Sequence, residues 1–245
     1  MGSPTTTPSI SENKILAALG GSGTPQLCSG LARVELAQGE VVCEPGTRVE
    51  HIYFPETAVF SMLATMEDGS TVEVGPVGEE GMFGLPVFFG GGISPARVLV
   101  HVGGTAIRLG ADALREELRS GQNPLARLLL RYTEMLLDMT SQSSACNKLH
   151  TLEQQLARWL LAMHDYVRAD ELLLTHELMA LTLGVRRAGV TEAAGGFKKA
   201  GVITYHRGHI QILDRQGLEA MTCECYRVVR DYYERLYADL PKLAT

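Results

Sequence analysis

The stretch from Leu174 to Leu213 constrains this chain more than any other, because helix, tight-turn, helix and hairpin signals follow one another within a short span. Thr175 precedes an apolar run, and its hydroxyl can accept an orphan amide proton of a first helical turn. Leu178, Leu181 and Leu183 supply apolar bulk, and Gly184 ends the helix where the chain needs a positive φ. Small Ala180 leaves room for a second helix to cross closely. That helix is expected over 186–200, with Val190, Ala193, Ala194 and Phe197 forming a buried stripe at three- and four-residue spacings. Arg186, Arg187, Thr191 and Glu192 are left near its exposed N-terminal half, with Lys198 towards its end. The remainder, from Gly201, reads as two short strands about a turn at 206–209 that presents Arg207.

Two helices and a hairpin are common packing units, so the pattern does not by itself identify a partner. Charge does. The stretch carries five Lys/Arg and two acids, a net +3, whereas the whole chain is −6 and the rest of it therefore −9. A basic face on an acidic protein is what a phosphate backbone selects. The stretch is therefore expected to be a winged helix-turn-helix that places its second helix in the major groove of double-stranded DNA, with Thr175, His176, Arg186, Arg187, Thr191, Glu192, Lys198 and Arg207 as contacts.

At 245 residues the chain suits one large domain or two smaller ones. It has no run of about 18 apolar residues and no basic, apolar leader, which predicts neither a membrane span nor a secretory signal and places the protein in the cytoplasm. Five scattered cysteines argue against a disulfide scaffold. Only Cys223 and Cys225 are close-spaced, and on a helix they would diverge by about 200°, so no metal site is expected. No phosphate loop, Gly-x-Ser-x-Gly elbow or His-Glu-x-x-His is present, and His51, His101, His150 and His164 are isolated, so catalysis is not expected.

In chain order, 1–10 is a Ser/Thr/Pro-rich tail expected to be disordered. A sensor-like domain is expected over 11–122. It opens with a helix from Ser11 to Leu19 and continues as short apolar strands divided by turn residues, which argues for an antiparallel β-roll with Asp68-Gly69 as its clearest hairpin. The fold class is therefore α+β. A long helix over 123–150 starts at Asn123-Pro124, and Leu125, Leu129, Tyr132, Leu136, Met139, Ser143 and Cys146 alternate at spacings of four and three along it. That heptad seam is expected to form a homodimer. A second face with Leu128, Leu130, Met135 and Leu137 is also apolar, and it is expected to meet the roll. The DNA reader occupies 151–245, entered through a Thr151–Gln154 capping box and closed by one packing helix from Leu218 to Tyr237.

Thr175 to Ile203, with the spacing of Ala180, Gly184 and Val190, resembles the DNA-binding domain of the Crp/Fnr superfamily of bacterial transcription regulators, and the glycines at 39, 46, 69 and 78 match turns of that family's cyclic-nucleotide-binding roll. The resemblance implies a dimeric regulator on a near-palindromic operator, with RNA polymerase as a partner if it activates. It implies that Arg187 reads guanine and that Arg186 shares phosphate and base contacts. Glu192 stands where the cyclic-AMP-responsive members have arginine, which implies a different operator. The family holds its nucleotide with a Gly-Glu step, an Arg-Ser pair and hydroxyls from the long helix. Gly78, Glu79, Arg97, Thr140 and Ser141 are the corresponding candidates, so a cyclic-nucleotide-responsive regulator using Glu79 and Arg97 is the alternative. Glu80 replaces an aliphatic residue and Val98 a hydroxyl, so some other small-molecule effector, or none, is expected rather than cyclic AMP, and no cofactor is assigned.

Overall fold

The structure, a computed structural model, describes residues 11–20, 25–119 and 123–243. The tail expected over 1–10 lies outside them. The chain divides into two units, one of Met1–Met62, Gly75–Leu136 and Tyr233–Thr245, the other of Leu63–Val74 and Leu137–Tyr232. Among the described residues, no helix is long and apolar enough to cross a membrane.

The N-terminal elements are α1 (Lys14–Leu19), α2 (Pro25–Gly30), β1 (Ala32–Leu36), β2 (Val41–Cys43), β3 (His51–Pro55), β4 (Val59–Thr65), β5 (Thr71–Val77), α3 (Leu85–Phe88), β6 (Arg97–Val102), β7 (Gly104–Gly110), α4 (Ala111–Glu117) and α5 (Pro124–Leu149). The strands form two sheets, ordered β1-β7-β3 and β2-β6-β4-β5. Antiparallel register pairs Ala32 with Arg108 and His51 with Gly110 on either side of β7. Ile52, Phe54, Phe60, Val98, Val100, Ile107 and Leu109 bury their side chains, as alternation on half-covered sheets requires. The expected hairpin forms at Asp68-Gly69, where Asp68 Oδ1 accepts from the Ser70 amide at 2.9 Å and Gly69 takes a φ of 82°. Its two hydrogen bonds from Ser70 hold the exposed Asp68 carboxyl below its usual range. Helix α1 begins later than the expected Ser11, because Asn13 is its cap, accepting from the Ile15 and Leu16 amides. Helices α2, α3 and α4 are not anticipated by the sequence reading; they are short and have little room for a periodic stripe.

The long helix starts where expected, with the Asn123 side chain accepting from Ala126 N at 3.1 Å. Its seam must be reassigned. Leu125, Leu129, Tyr132 and Cys146 are 0% exposed within the single chain; Leu128 and Met135 are buried as well, and Leu136, Met139 and Ser143 are half-buried. Leu125, Leu129, Tyr132 and Cys146 are thus covered by their own chain and offer no surface to a second subunit, whereas Leu136, Met139 and Ser143 keep part of theirs. Leu130 and Leu137, by contrast, are 57% and 65% exposed.

The second unit continues with α6 (Leu152–Val167), β8 (Glu171–Leu173), α7 (His176–Leu183), α8 (Arg187–Lys199), β9 (Ile203–His206), β10 (His209–Ile212), α9 (Arg215–Met221) and α10 (Cys225–Leu243). The capping box at Thr151 and Gln154 forms in both directions. Leu156, Leu160 and Met163 of α6 pack with Met179, Val190, Ala193, Phe197, Ile203 and Ile210 in one core. Each buried leucine of this kind contributes about 1.5–3 kcal/mol. Arg215 ties α9 to α6 and α10 by donating to Asp165 Oδ1 at 2.7 Å and to the Tyr226 hydroxyl at 2.6 Å. The single helix expected from Leu218 to Tyr237 is two, because 222–224 leave helical conformation and Cys223 lies in the turn.

Candidate nucleic-acid interface

Helix α7 is capped as expected, with Thr175 Oγ1 accepting from Leu178 N at 3.1 Å, and it ends at Gly184, whose φ of 64° is left-handed. Its fully buried side chains are Met179, Ala180 and Thr182, while Leu178, Leu181 and Leu183 are less buried. Helix α8 buries Val190, Ala193, Ala194 and Phe197, the four residues of the expected stripe. Arg186 is its N-cap residue and lies just outside the helix, extended at φ −71° and ψ 138°. Arg186, Arg187, Thr191, Glu192, Lys198 and Lys199 are all exposed.

The glycines of α8 have different roles. A Cβ on Gly189 would lie 2.9 Å from Leu152 Cδ2, so the absence of a side chain there permits close contact with α6, whereas Gly195 and Gly196 have open space around them.

The wing is the antiparallel pair of β9 and β10, with Ile203 opposite Ile212 and His206 opposite His209. Arg207 and Gly208 form its turn at φ 46° and 87°, the paired positive values of a tight hairpin, and Arg207 is exposed at the tip. Strand β8, not foreseen from the sequence, completes a three-stranded sheet in the order β8-β10-β9. The Gly208 carbonyl accepts from Leu174 N at 2.8 Å, which seats the wing turn beside the start of α7.

His176 joins these parts. Its ring stacks on Tyr205 of β9 with centroids 4.2 Å apart, and its Nδ1 is 3.0 Å from Thr191 Oγ1 on α8. The Thr191 hydroxyl also donates to the Arg187 carbonyl at 3.0 Å. Burial first, and then the charge of Arg187, lowers the His176 pKa, which favours the neutral ring. Of the eight expected DNA contacts, the exposed Thr175 caps α7 through its hydroxyl and His176 meets Thr191 through Nδ1. Arg187 Nε lies 3.9 Å from Glu177 Oε2, an exposed pair that water screens and that leaves the guanidinium available.

The expected effector residues are differently disposed. Glu79 Oε1 is 3.5 Å from Lys14 Nζ, and its carbonyl accepts from Lys14 N at 2.7 Å. Asn13 Nδ2 donates to the Gly81 carbonyl at 2.8 Å, so the start of α1 is fastened across the Gly78–Gly81 turn. Glu80 is buried and accepts from the Gly78 amide at 3.1 Å, which occupies a backbone donor that a phosphate would need. Tyr132 from α5 fills the space beside Gly81, where a Cβ would overlap its hydroxyl oxygen. Arg97 pairs with Glu44 Oε1 at 3.4 Å on the surface, and Val98 is wholly buried. Thr140 and Ser141 are exposed on α5, with Ser141 Oγ donating to the Leu137 carbonyl at 2.8 Å.

Residues 154–221 match the family model of the Crp-like helix-turn-helix domain, and residues 33–120 match that of the cyclic nucleotide-binding domain. No curated protein relative matches the sequence. Among solved structures, FixK2 from Bradyrhizobium japonicum is similar, with a TM-score of 0.66 at 16% identity, covering 79% of this chain and 98% of that one. CLP from Xanthomonas campestris, described as a regulator responsive to c-di-GMP, gives 0.62 at 14% identity over 76% and 96%. A Crp-family transcriptional regulator from Thermus thermophilus gives 0.64 at 18% identity over 77% and 95%.

Proposed function

The chain belongs to the Crp/Fnr superfamily of transcription regulators, and from that premise we propose that it binds a near-palindromic DNA operator as a homodimer, with α8 reading bases and the wing holding phosphate. The observation that carries the reading is the division of α8 into a buried apolar stripe and an exposed face with Arg187, Thr191 and Glu192, inside a stretch of net +3 in an acidic chain. Arg187 suits the O6 and N7 of a guanine, and Glu192 suits a cytosine amino group, because a carboxylate only accepts. Lys198 and Arg207 lie on the flanks and take phosphates. The dimer forms through the side of α5 that carries Leu130 and Leu137, the large apolar residues that this helix leaves exposed in its middle. Two copies then set their reading helices about one DNA turn apart.

The effector of the N-terminal domain is a small molecule other than cyclic AMP. A buried Glu80 on the Gly78 amide, Glu79 held by Lys14 and Arg97 held by Glu44 all work against an anionic cyclic phosphate. The fold tolerates such a change of ligand, as the name of the c-di-GMP-responsive neighbour indicates. Titration of labelled duplex DNA over a salt series tests the DNA reading: affinity should fall steeply and log-linearly with salt, and salt-independent or absent binding would reject it. Calorimetry with cyclic AMP should give no binding at micromolar concentration.

A further inference from the structure

The last turn of α5 carries Cys146 and His150 follows at its end, one helical turn on and so on the same side. The turn between α9 and α10 carries Cys223, and Cys225 opens α10. These four residues, distant in sequence, converge within the second unit. Their three Sγ atoms and a ring nitrogen of His150 all lie within 4.8 Å of one another. Cys146 Sγ is 3.6 Å from Cys223 Sγ, and Cys225 Sγ is 3.6 Å from His150 Nδ1.

A tetrahedral zinc, with Zn–S of about 2.3 Å and Zn–N of about 2.0 Å, holds its ligand atoms about 3.5–3.8 Å apart. Both observed separations fall at that value. Three cysteines and one histidine are, moreover, a donor set of structural zinc sites. The surroundings suit the charge such a site creates. His150 Nε2 lies 3.2 Å from Glu224 Oε2, so a carboxylate orients the ring from its outer nitrogen and turns Nδ1 inward. Gln142 Nε2 is 3.0 Å from Cys225 Sγ and donates to it. The three cysteines are buried, so the group is closed to solvent as a structural site is.

We propose that Cys146, His150, Cys223 and Cys225 bind a single zinc ion, which clips the end of α5 to the α9–α10 turn at the edge of the DNA-reading domain. Binding exchanges three thiol protons for the metal and changes no oxidation state. A [4Fe–4S] cluster fits less well, because each of its protein ligands would sit on a different iron and the ligand atoms would stand further apart.

The test is metal analysis of the full-length protein purified under reducing conditions without chelator. About one zinc per chain is expected, unchanged in Cys28→Ser, whose sulfur belongs to the other unit, and reduced at least tenfold in Cys223→Ser. Because Cys223→Ser could fail to fold, wild-type protein stripped by chelator is also titrated with cobalt. It should develop the visible bands of tetrahedral cobalt thiolate and saturate at one equivalent. Zinc below a tenth of an equivalent with no such bands, iron with inorganic sulfide in its place, or a Cys146–Cys223 disulfide that persists in the reduced protein would each overturn the proposal.

Discussion

His176 lies with its ring nearly parallel to that of Tyr205, 4.2 Å away, so α7, the first helix of the helix-turn-helix, is fastened to the first strand of the wing. The same ring meets Thr191 on the reading helix, and one side chain therefore registers all three parts. A stacked pair of this kind contributes about 0.5–1.5 kcal/mol. His176→Ala is expected to weaken operator binding by about two- to tenfold, while Tyr205→Phe, which keeps the stack, changes it little. Equal losses in both variants would mean that the phenol hydroxyl, not the stack, matters.

The burial of α5 separates two kinds of leucine. Leu129→Ala removes a fully buried side chain and should cost about 2–5 kcal/mol of stability, read as a lower urea midpoint. Leu130→Glu with Leu137→Glu alters the exposed side and should give folded monomers with much weaker DNA binding, as sedimentation and a duplex titration would report. Dimers of full affinity from the double variant would remove α5 from the interface.

Gly195 and Gly196 sit inside α8 with nothing close to where a Cβ would go. Replacing either by Ala should stabilise the domain by about 1 kcal/mol, seen as a raised melting temperature. Gly189→Ala should gain less or lose stability, because its methyl meets Leu152.

His101 on β6 is buried, and that burial lowers its pKa to about 4. A folded-state value below the unfolded one means that the unfolded chain takes up the proton first as the pH falls. The contribution is therefore intact above about pH 6.5 and is lost progressively towards pH 4, by about 2–3 kcal/mol at pH 4.5. Urea unfolding from pH 7.5 to 4.5 should show this loss, and His101→Leu should flatten it.

The comparison between sequence and fold turns on what periodicity can carry. Val190, Ala193, Ala194 and Phe197 were legible because a 3.6-residue stripe marks the face a helix buries, and Gly184 because its turn demands positive φ. The heptad of α5 was equally legible as a buried stripe, but spacing does not say what covers it. Leu125, Leu129 and Tyr132 are covered by their own chain. Strand β8 is too short to show alternation, and it becomes a strand through pairing with β10. The cysteine cluster was hidden for another reason. Placing Cys223 on a helix with Cys225 pointed the two apart, and no local pattern announces that Cys146, 77 positions away, will meet Cys223.

In the proposed complex α8 reads bases through Arg187 in a symmetric pair. Selection of duplexes from a random pool by the full-length protein, repeated with Arg187→Ala and Arg207→Ala, tests it most directly. The account predicts enriched inverted half-sites about 10 base pairs apart, with a guanine whose selection relaxes in Arg187→Ala at a cost of about 1–3 kcal/mol. In Arg207→Ala the motif should persist while all sequences bind more weakly and the salt slope drops by about one unit. A motif without two-fold symmetry, or an unchanged guanine preference in Arg187→Ala, would contradict it.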